Sequence, residues 1–198
     1  MIRRIVAGLS ALLLMAGAAN AQIAPDVLVK NTVSEVLSII KTTRDKRVLS
    51  EVVEKKVLPN FDFQAMTRYA MGKYWREATP TQQRALENAF RELLVTTYTT
   101  ALTQSTSEQS VEVRPVTVRP ADDDVTVRTL VKDASSKPIA IDYRLAKVGS
   151  VWKVYDVTVE NLSLVTNYRG SFNSEIGRSG IDGLIKLLQE KNKQNAAG

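Results

Sequence analysis

The spacing of apolar residues changes twice along this chain, and the change limits the fold classes open to it. From Val29 to about Thr103, apolar side chains recur every three or four positions, which is the spacing of one helical face. From Val111 to Val159 they alternate, as in half-buried strands, and helical spacing returns after Leu162. Helices before and after strands predict an α+β domain, with helices packed on one face of a curved antiparallel sheet and an apolar pocket between the layers.

Alternating segments predict a sheet of four strands. Short turns separate the segments, so consecutive strands are expected to pair as an antiparallel meander. Pro115 interrupts the first segment, which indicates an edge strand or a bulge. The predicted strands span residues 111–118, 125–131, 139–145 and 151–159.

Residues with strong capping preferences predict where helices begin and end. Asp62 is placed as the N-cap of a helix that Gly72 closes. The run Thr79-Pro80-Thr81-Gln82 has threonine at the N-cap, proline at the first helical position and glutamine three residues after the threonine, which indicates the start of a long helix. The stretch from Gly177 to Gly180 predicts a break in the last helical region.

The first 21 residues have the pattern of a secretory signal peptide. Arg3 and Arg4 precede an apolar run that ends at Gly17, and Ala19-Asn20-Ala21 forms a small-residue cleavage site. The apolar run is shorter than the roughly 20 residues that cross a bilayer. The sequence therefore predicts a signal peptide over residues 1–21, one domain over residues 22–190 and a disordered tail over residues 191–198.

The absence of two residue types narrows the possible chemistry. The chain has no His and no Cys, which excludes a histidine base, a thiol nucleophile, disulfides and any zinc site built from those residues. An enzyme that acts through a pair of Asp or Glu residues remains open. The net charge of +6 is modest and scattered, without the clustered basic stripe that nucleic-acid binding requires, so no nucleic-acid partner is expected.

Three further segments have both a structural and a functional interpretation. Asp122-Asp123-Asp124 lacks the spacing of a calcium loop and favours a solvated hairpin turn. Arg169 can meet a phosphate, but a surface ion pair with a carboxylate such as Glu175 is favoured. The aromatic-rich residues 61–75 indicate either an ordinary core segment or one wall of an apolar pocket.

Two long stretches resemble one known family. Residues 61–102, FDFQAMTRYAMGKYWREATPTQQRALENAFRELLVTTYTTAL, and residues 154–188, from VYDVTVENLSLVTNYRG to GIDGLIKLL, are similar to the MlaC family, also called toluene-tolerance auxiliary proteins. F-D-F, G-K-Y-W, T-P-x-Q and F-x-x-L-L follow one another in the order and spacing of that family. The resemblance extends over nearly the whole mature chain and is weakest in the strands.

The resemblance implies a soluble, monomeric phospholipid carrier of the periplasm and not an enzyme. Such proteins shuttle lipid between an MlaA-like outer-membrane lipoprotein complex and an inner-membrane ABC transporter complex with an MlaD-like subunit, which maintains the lipid asymmetry of the outer membrane. The implied ligand is a phospholipid, with its acyl chains between helices and sheet, and no cofactor or metal is implied. Two alternatives stay open: an Asp/Glu-dependent periplasmic enzyme on a cone-shaped sheet-plus-helix scaffold, and an interaction module with a filled core.

The predicted lipid-binding residues are apolar or aromatic side chains that share one strand face or one helical face. Strand alternation places Ile139, Ile141 and Tyr143 on the same side of the sheet, and apolar helical residues are expected to face them. The complete set is Phe63, Met66, Trp75, Leu94, Tyr98, Val127, Ile139, Ile141, Tyr143, Val154, Leu162, Leu164, Tyr168 and Phe172.

The mature protein is expected to begin at Gln22, because the small residues before it match the cleavage site of a signal peptidase. N-terminal sequencing of the protein exported by its own bacterium tests this prediction. A mature chain that still begins at Met1 would show that the apolar segment is retained as an anchor.

Overall fold

The computed structural model describes residues 23–43, 45–103, 109–133 and 136–197, so the predicted signal peptide lies outside the described residues. The helices are α1 (Pro25–Thr42), α2 (Lys46–Val52), α3 (Phe63–Met71), α4 (Pro80–Thr103) and α5 (Leu164–Ala197). The strands are β1 (Ser110–Val113), β2 (Asp124–Asp133), β3 (Ser136–Val148), β4 (Val151–Val159) and β5 (Leu162–Ser163). A π-helical turn at Val53–Val57 and 3₁₀ turns at Leu58–Asn60 and Gly72–Trp75 complete the described helical structure.

The sheet is an open antiparallel meander with the strand order β1-β2-β3-β4-β5. The α+β fold is therefore confirmed, with five strands where the sequence predicts four. The additional strand, β5, has only two residues, which is too short for alternation to be visible in the sequence. Residues 116–118, predicted to resume the first strand after Pro115, lie outside it, because proline has no N–H to contribute to the ladder.

A β-bulge in β4 directs neighbouring side chains of that strand into different layers. Arg144 of β3 pairs with Asp156, whereas the next residue, Leu145, pairs with Val154, so Tyr155 is an extra residue in β4. Val154 packs against α1 and the inner strands, and Tyr155 packs among the helices. The sheet thus has a buried cluster on each side.

The larger cluster, which we call the helical core, is built by α3, α4 and α5. Phe90 is fully buried at its centre, with the ring of Tyr168 at 4.9 Å and the ring of Phe172 at 5.0 Å, both edge-on. Edge-to-face aromatic pairs add to the stabilisation that burial already gives. The other fully enclosed members include Met66, Ala70, Met71, Leu86, Leu184 and Leu188.

The smaller cluster, which we call the sheet core, lies between α1 and the strands. Val125 and Val127 of β2 belong to it, and both are buried. Val29 of α1 is also buried there, with Leu28 and Val33 packed beside it. Helix α1 therefore covers this face of the sheet, together with Val116 and Val118 of the segment after β1.

The helix boundaries confirm the predicted caps. The Asp62 carboxylate accepts the N–H of Ala65 at 2.8 Å, and Gly72 ends α3 with a positive φ of 57°. The N–H of Thr79 donates to Gln82 Oε1 at 3.0 Å, and the N–H of Gln82 donates to Thr79 Oγ1 at 3.2 Å. This reciprocal pair is a capping box, as the sequence indicates.

The C-terminal helix has one predicted and one unexpected feature. The break lies at Gly180, where φ is 72° and ψ is −178°. Beyond it the helix continues to Ala197, through the segment for which the sequence predicts disorder. Asn192 is buried there, and its amide donates to Ala89 O at 2.9 Å, which holds the last turns against α4. None of the helices in the described part of the chain is long and apolar enough to cross a membrane.

Replacing Phe90 by alanine is expected to lower the free energy of unfolding by about 3–5 kcal/mol, because the change leaves a cavity among rings that cannot collapse onto it. Urea unfolding followed by circular dichroism measures this loss. The exposed Arg84→Ala on the same helix is the control and is expected to change stability by less than about 0.5 kcal/mol. Equal stability of the two variants would contradict the proposed centre of the helical core.

Candidate functional site

An apolar cavity lies between α1 and the sheet. Its volume is about 20 Å³, which corresponds to little more than one water molecule. Helix α1 contributes one wall, strands β3 and β4 contribute another, and the turn before α3 closes the end. The lining residues are Leu28, Val29, Thr32, Val33, Asn60, Phe61, Tyr143 and Val154.

Two polar side chains of this lining, Thr32 and Asn60, bind one another. Asn60 donates its amide N–H to Thr32 Oγ1 at 2.9 Å and to the carbonyl oxygen of Lys56, also at 2.9 Å. The Thr32 hydroxyl donates to Leu28 O at 2.9 Å. Because these groups satisfy each other, the interior of the cavity is left to aliphatic and aromatic side chains.

The sheet wall is organised by cross-strand pairs. Val127 of β2 and Val157 of β4 both lie directly opposite Tyr143 of β3, so the three side chains share the face that α1 covers. Burial raises the pKa of the Tyr143 hydroxyl from 10.0 to about 12, because ionisation would place a charge among apolar groups.

The same face continues beyond α1 as an apolar strip, which we define as Ile139, Ile141, Val159 and Leu162. Ile141 pairs with Val159, and Val159 pairs with Leu162, so the strip crosses three strands. Ile141 and Val159 are half-buried, whereas Ile139 is 40% exposed and Leu162 is 74% exposed. Exposed aliphatic residues in a row indicate a surface that receives an apolar ligand or partner.

A groove of about 350 Å³ lies on the other side of α1, between that helix and the edge strand β1. Val33 lines both the groove and the cavity, so the two spaces meet at this residue. Lys30 and Lys41 stand at the groove, and Leu37, Val111 and Val113 give it an apolar floor. The space beside α1, counting this open and partly polar groove, is therefore larger than the cavity alone.

The predicted lipid-binding residues fall into two groups in the structure. Of the strand residues, Tyr143 and Val154 line the cavity, and Val127 lies beside them in the sheet core. Ile139, Ile141 and Leu162 form most of the apolar strip.

The predicted helical residues lie on the opposite side of the sheet. Met66, Leu94 and Phe172 are buried in the helical core, with Phe63, Trp75 and Tyr168 packed against it. Leu164 is half-buried at the start of α5, and Tyr98 is 38% exposed on α4. Burial and, secondarily, Tyr168 raise the pKa of Tyr98. The expectation that these residues face the strand residues across one pocket is therefore corrected: the facing helix is α1.

The sequence prediction did not include four residues that line the cavity, Leu28, Val29, Val33 and Phe61. Their local signal is clear, since α1 has the spacing of one helical face and Phe61 belongs to the aromatic-rich segment. Periodicity identifies the apolar face of a helix but not the layer on which it packs. For that reason the spacing alone did not distinguish α1 from α3 and α4.

The polar motifs have structural roles. Asp122 pairs with Arg119 at 3.0 Å within its turn, and Arg169 donates its Nε–H to Tyr69 O at 2.8 Å. Glu175 pairs with Arg178 and not with Arg169. Burial, and then Asp62, raise the pKa of Glu87, but no carboxylate lines the described cavity. The described residues include no group of three or more carboxylates placed to hold a metal ion.

Comparisons with known proteins agree with one another. The family model described as MlaC protein matches residues 30–190. The intermembrane phospholipid transport system binding protein MlaC of Haemophilus influenzae is 23% identical, over 89% of this chain and 86% of its own length. The toluene tolerance protein ttg2D of Pseudomonas putida is 25% identical, over 80% of this chain and 75% of its own length.

A solved structure is similar to this chain in both sequence and shape. The phospholipid-binding protein of Ralstonia solanacearum, solved in complex with a phospholipid, has a TM-score of 0.78 and 36% sequence identity. The match covers 86% of this chain and 98% of that one. The fold of this chain is thus shared with a protein that holds a phospholipid.

Tyr143→Phe is expected to make stability less sensitive to alkaline pH. The unfolded tyrosine ionises near pH 10.0 and the folded one near 12, so the stabilisation is complete below pH 10.0 and is lost as pH rises toward 12. In that window the wild type loses up to about 1.4 kcal/mol per pH unit from this group, and the phenylalanine variant loses none of it. Urea unfolding of both proteins at about pH 9 and about pH 11 gives the difference, and identical losses would show that the hydroxyl is not buried.

Proposed function

The chain belongs to the MlaC family, and from this premise we propose that it is a soluble, monomeric periplasmic carrier of phospholipids. The acyl chains of the bound phospholipid lie between α1 and the sheet. The partners of the carrier are an MlaA-like outer-membrane lipoprotein complex and an MlaD-like subunit of an inner-membrane ABC transporter. Lipid exchange between those complexes maintains the asymmetry of the outer membrane.

The observation that carries this proposal is the continuity of apolar surface from the cavity to the edge of the sheet. Phe61 and Val154 lie at the cavity, Ile141 lies half-buried on the strip, and Leu162 reaches solvent. A path of this kind suits a ligand with long hydrocarbon chains. The phospholipid complex of the Ralstonia solanacearum protein supports the same ligand class.

The energetics of a diacyl lipid explain why a carrier is needed. About 30 methylenes at about 0.8 kcal/mol each give a transfer free energy on the order of 20 kcal/mol between water and an apolar site. Free lipid in water is therefore negligible, so an aqueous crossing requires a protein that hides both chains. A membrane offers similar shelter, which makes the net exchange small. Direction must then come from the partner complexes.

Lipid entry requires α1 to move away from the sheet. Ligand pockets measure about 300–1,000 Å³, whereas the cavity is about 20 Å³. The contacts that hold α1 include aliphatic side chains, the Asn60–Thr32 hydrogen bond, a hydrogen bond from the N–H of Val116 to Asp26 at 3.4 Å and an exposed Lys56–Glu35 ion pair at 3.1 Å. We infer that displacement of α1 merges the cavity with the groove beside β1 and gives the acyl chains their room.

Ile141→Asp is expected to abolish phospholipid loading in a folded protein. The carboxylate would lie on the apolar strip, where burial against an acyl chain costs several kcal/mol, but water at this half-buried position can hydrate it when no lipid is there. Solvent extraction and mass spectrometry measure phospholipid per chain, and circular dichroism checks the fold. About one phospholipid per wild-type chain is expected.

Two variants on the opposite face of the sheet are the controls. Thr126→Asp adds the same charge across from Arg144, and Asp142→Ala changes the residue next to Ile141. Both are expected to keep wild-type loading, because a one-residue step along a strand reverses the face. Normal loading of folded Ile141→Asp would remove the strip from the lipid path, and purified wild-type protein without phospholipid would refute the carrier function.

A further inference from the structure

An arginine–tyrosine surface lies on the face of the sheet that α1 does not cover, where α3 meets β3, β4 and α5. The rings of Tyr69 and Tyr155 are 5.3 Å apart. The guanidinium of Arg68 lies 5.4 Å above the Tyr69 ring, that of Arg144 lies 4.9 Å above the Tyr155 ring, and Arg169 donates to Tyr69 O at 2.8 Å. We propose that this surface, which we define as those five residues, docks an acidic face of a protein partner.

The surface carries more positive charge than its neighbours neutralise. Asp124 is the carboxylate in contact with it: the Tyr155 hydroxyl donates to Asp124, and Arg144 lies 3.9 Å from it. Within the described parts of the chain, Arg68 and Arg169 form no ion pair. Three guanidinium groups thus share this surface with one carboxylate, which contacts only Arg144 among them, and an incoming acidic group meets the positive charge of Arg68 and Arg169.

The groups are also held in place before any partner arrives. Tyr69 is 41% exposed although its ring packs, tilted by 34°, against the ring of the buried Tyr155. Stacking on rings restricts Arg68 and Arg144, and a carbonyl oxygen restricts Arg169, so each loses less conformational freedom on binding than a free side chain would. Arg and Tyr are the residue types that dominate binding energy at protein interfaces, and guanidinium pairs with carboxylates in a bidentate geometry.

A membrane is the less suitable occupant of this surface. Binding to an anionic bilayer favours protruding aliphatic side chains beside flexible lysines. Exposed aliphatic side chains lie elsewhere, at the β3–β4 hairpin, where Val148 and Val151 protrude beside the exposed Lys147. The arginine–tyrosine surface instead offers planar groups that recognise carboxylates of fixed geometry.

The position of the surface suits a carrier whose helix α1 must move away from the sheet while the partner is bound. The partner would bind on the face opposite α1, so the helix stays free to move. Val154 lines the cavity, and the next residue, Tyr155, belongs to the docking surface. This proposal rests on the proposed function for the identity of its partners, the MlaD-like and MlaA-like subunits.

Charge reversal at Arg68 tests the proposal. The probes are the purified periplasmic domain of the MlaD-like subunit and the purified MlaA-like complex from the same bacterium, titrated with the full-length mature protein. Arg68→Glu is expected to weaken binding to at least one of them by about tenfold or more, and added salt is expected to weaken the wild-type interaction. Arg144→Gln, which removes charge without reversing it, is expected to weaken the same interaction and serves if Arg68→Glu does not fold.

The control is Arg47→Glu, which makes the same change in net charge at an exposed position of α2 and is expected to leave binding unchanged. The proposal would be overturned if the folded Arg68 and Arg144 variants bound both partners as tightly as the wild-type protein does. It would also be overturned if the wild-type protein bound neither partner. A third outcome would also overturn the proposal: the variants keep their binding to both protein partners but lose binding to vesicles of phosphatidylethanolamine and phosphatidylglycerol. That result would assign the surface to a membrane. Phospholipid per chain is measured in parallel, so a docking protein without lipid would refute the carrier function while leaving the docking surface in place.

Discussion

The extra residue in β4 is the constraint on which the rest of the structure depends. Because Tyr155 is inserted into the ladder, Val154 stays with the sheet core and Tyr155 joins the helical core. Uninterrupted alternation after Val154 would place Asp156 on the side of α1. Instead, the Asp156 carboxylate accepts the Ser163 hydroxyl at 2.7 Å and the N–H of Val165 at 3.3 Å, at the start of α5. One insertion therefore keeps a charge out of the apolar site and fixes the first turn of the last helix.

The two cores have different roles: the helical core keeps the domain folded, and the sheet core is the part that can open. The helical core has fully buried aromatic and long aliphatic side chains, so its helices separate only when the domain unfolds. The sheet core is covered on one side by α1 through the smaller side chains of Leu28, Val29 and Val33. Segments with fewer buried contacts open at lower free energy than the rest of a domain. A site under such a cover is able to open while the scaffold beneath it remains folded.

Local chemistry could be predicted from the sequence, whereas the assignment of layers could not. The Thr79–Gln82 capping box and the glycine at the end of α3 depend on residues close in the chain, and both were correctly predicted. The assignment of Met66 and Phe172 to the lipid site required knowing which side of the sheet α3 and α5 cover, and apolar spacing is silent on that point. The bulge did leave a trace in the sequence: apolar residues on the side of α1 step from Trp152 to Val154 and then to Val157, a change of phase within one strand. Burial of Asn192 depends on a carbonyl group about a hundred residues away and has no local signal.

The opening of α1 also sets how tightly a carrier of this design holds its lipid. Separation of α1 from the sheet exposes aliphatic surface on both. The free-energy cost of this exposure is about 25 cal/mol per Å² of apolar area. Acyl chains that enter the space cover the same surface again, so most of that cost is offset by the ligand. The remainder, together with the ordering of the lipid, lowers the affinity below the full transfer free energy of the chains. Tight enclosure would trap lipid. A cover held by aliphatic contacts, two hydrogen bonds and an exposed ion pair can be displaced by a partner that binds the open form, which allows release.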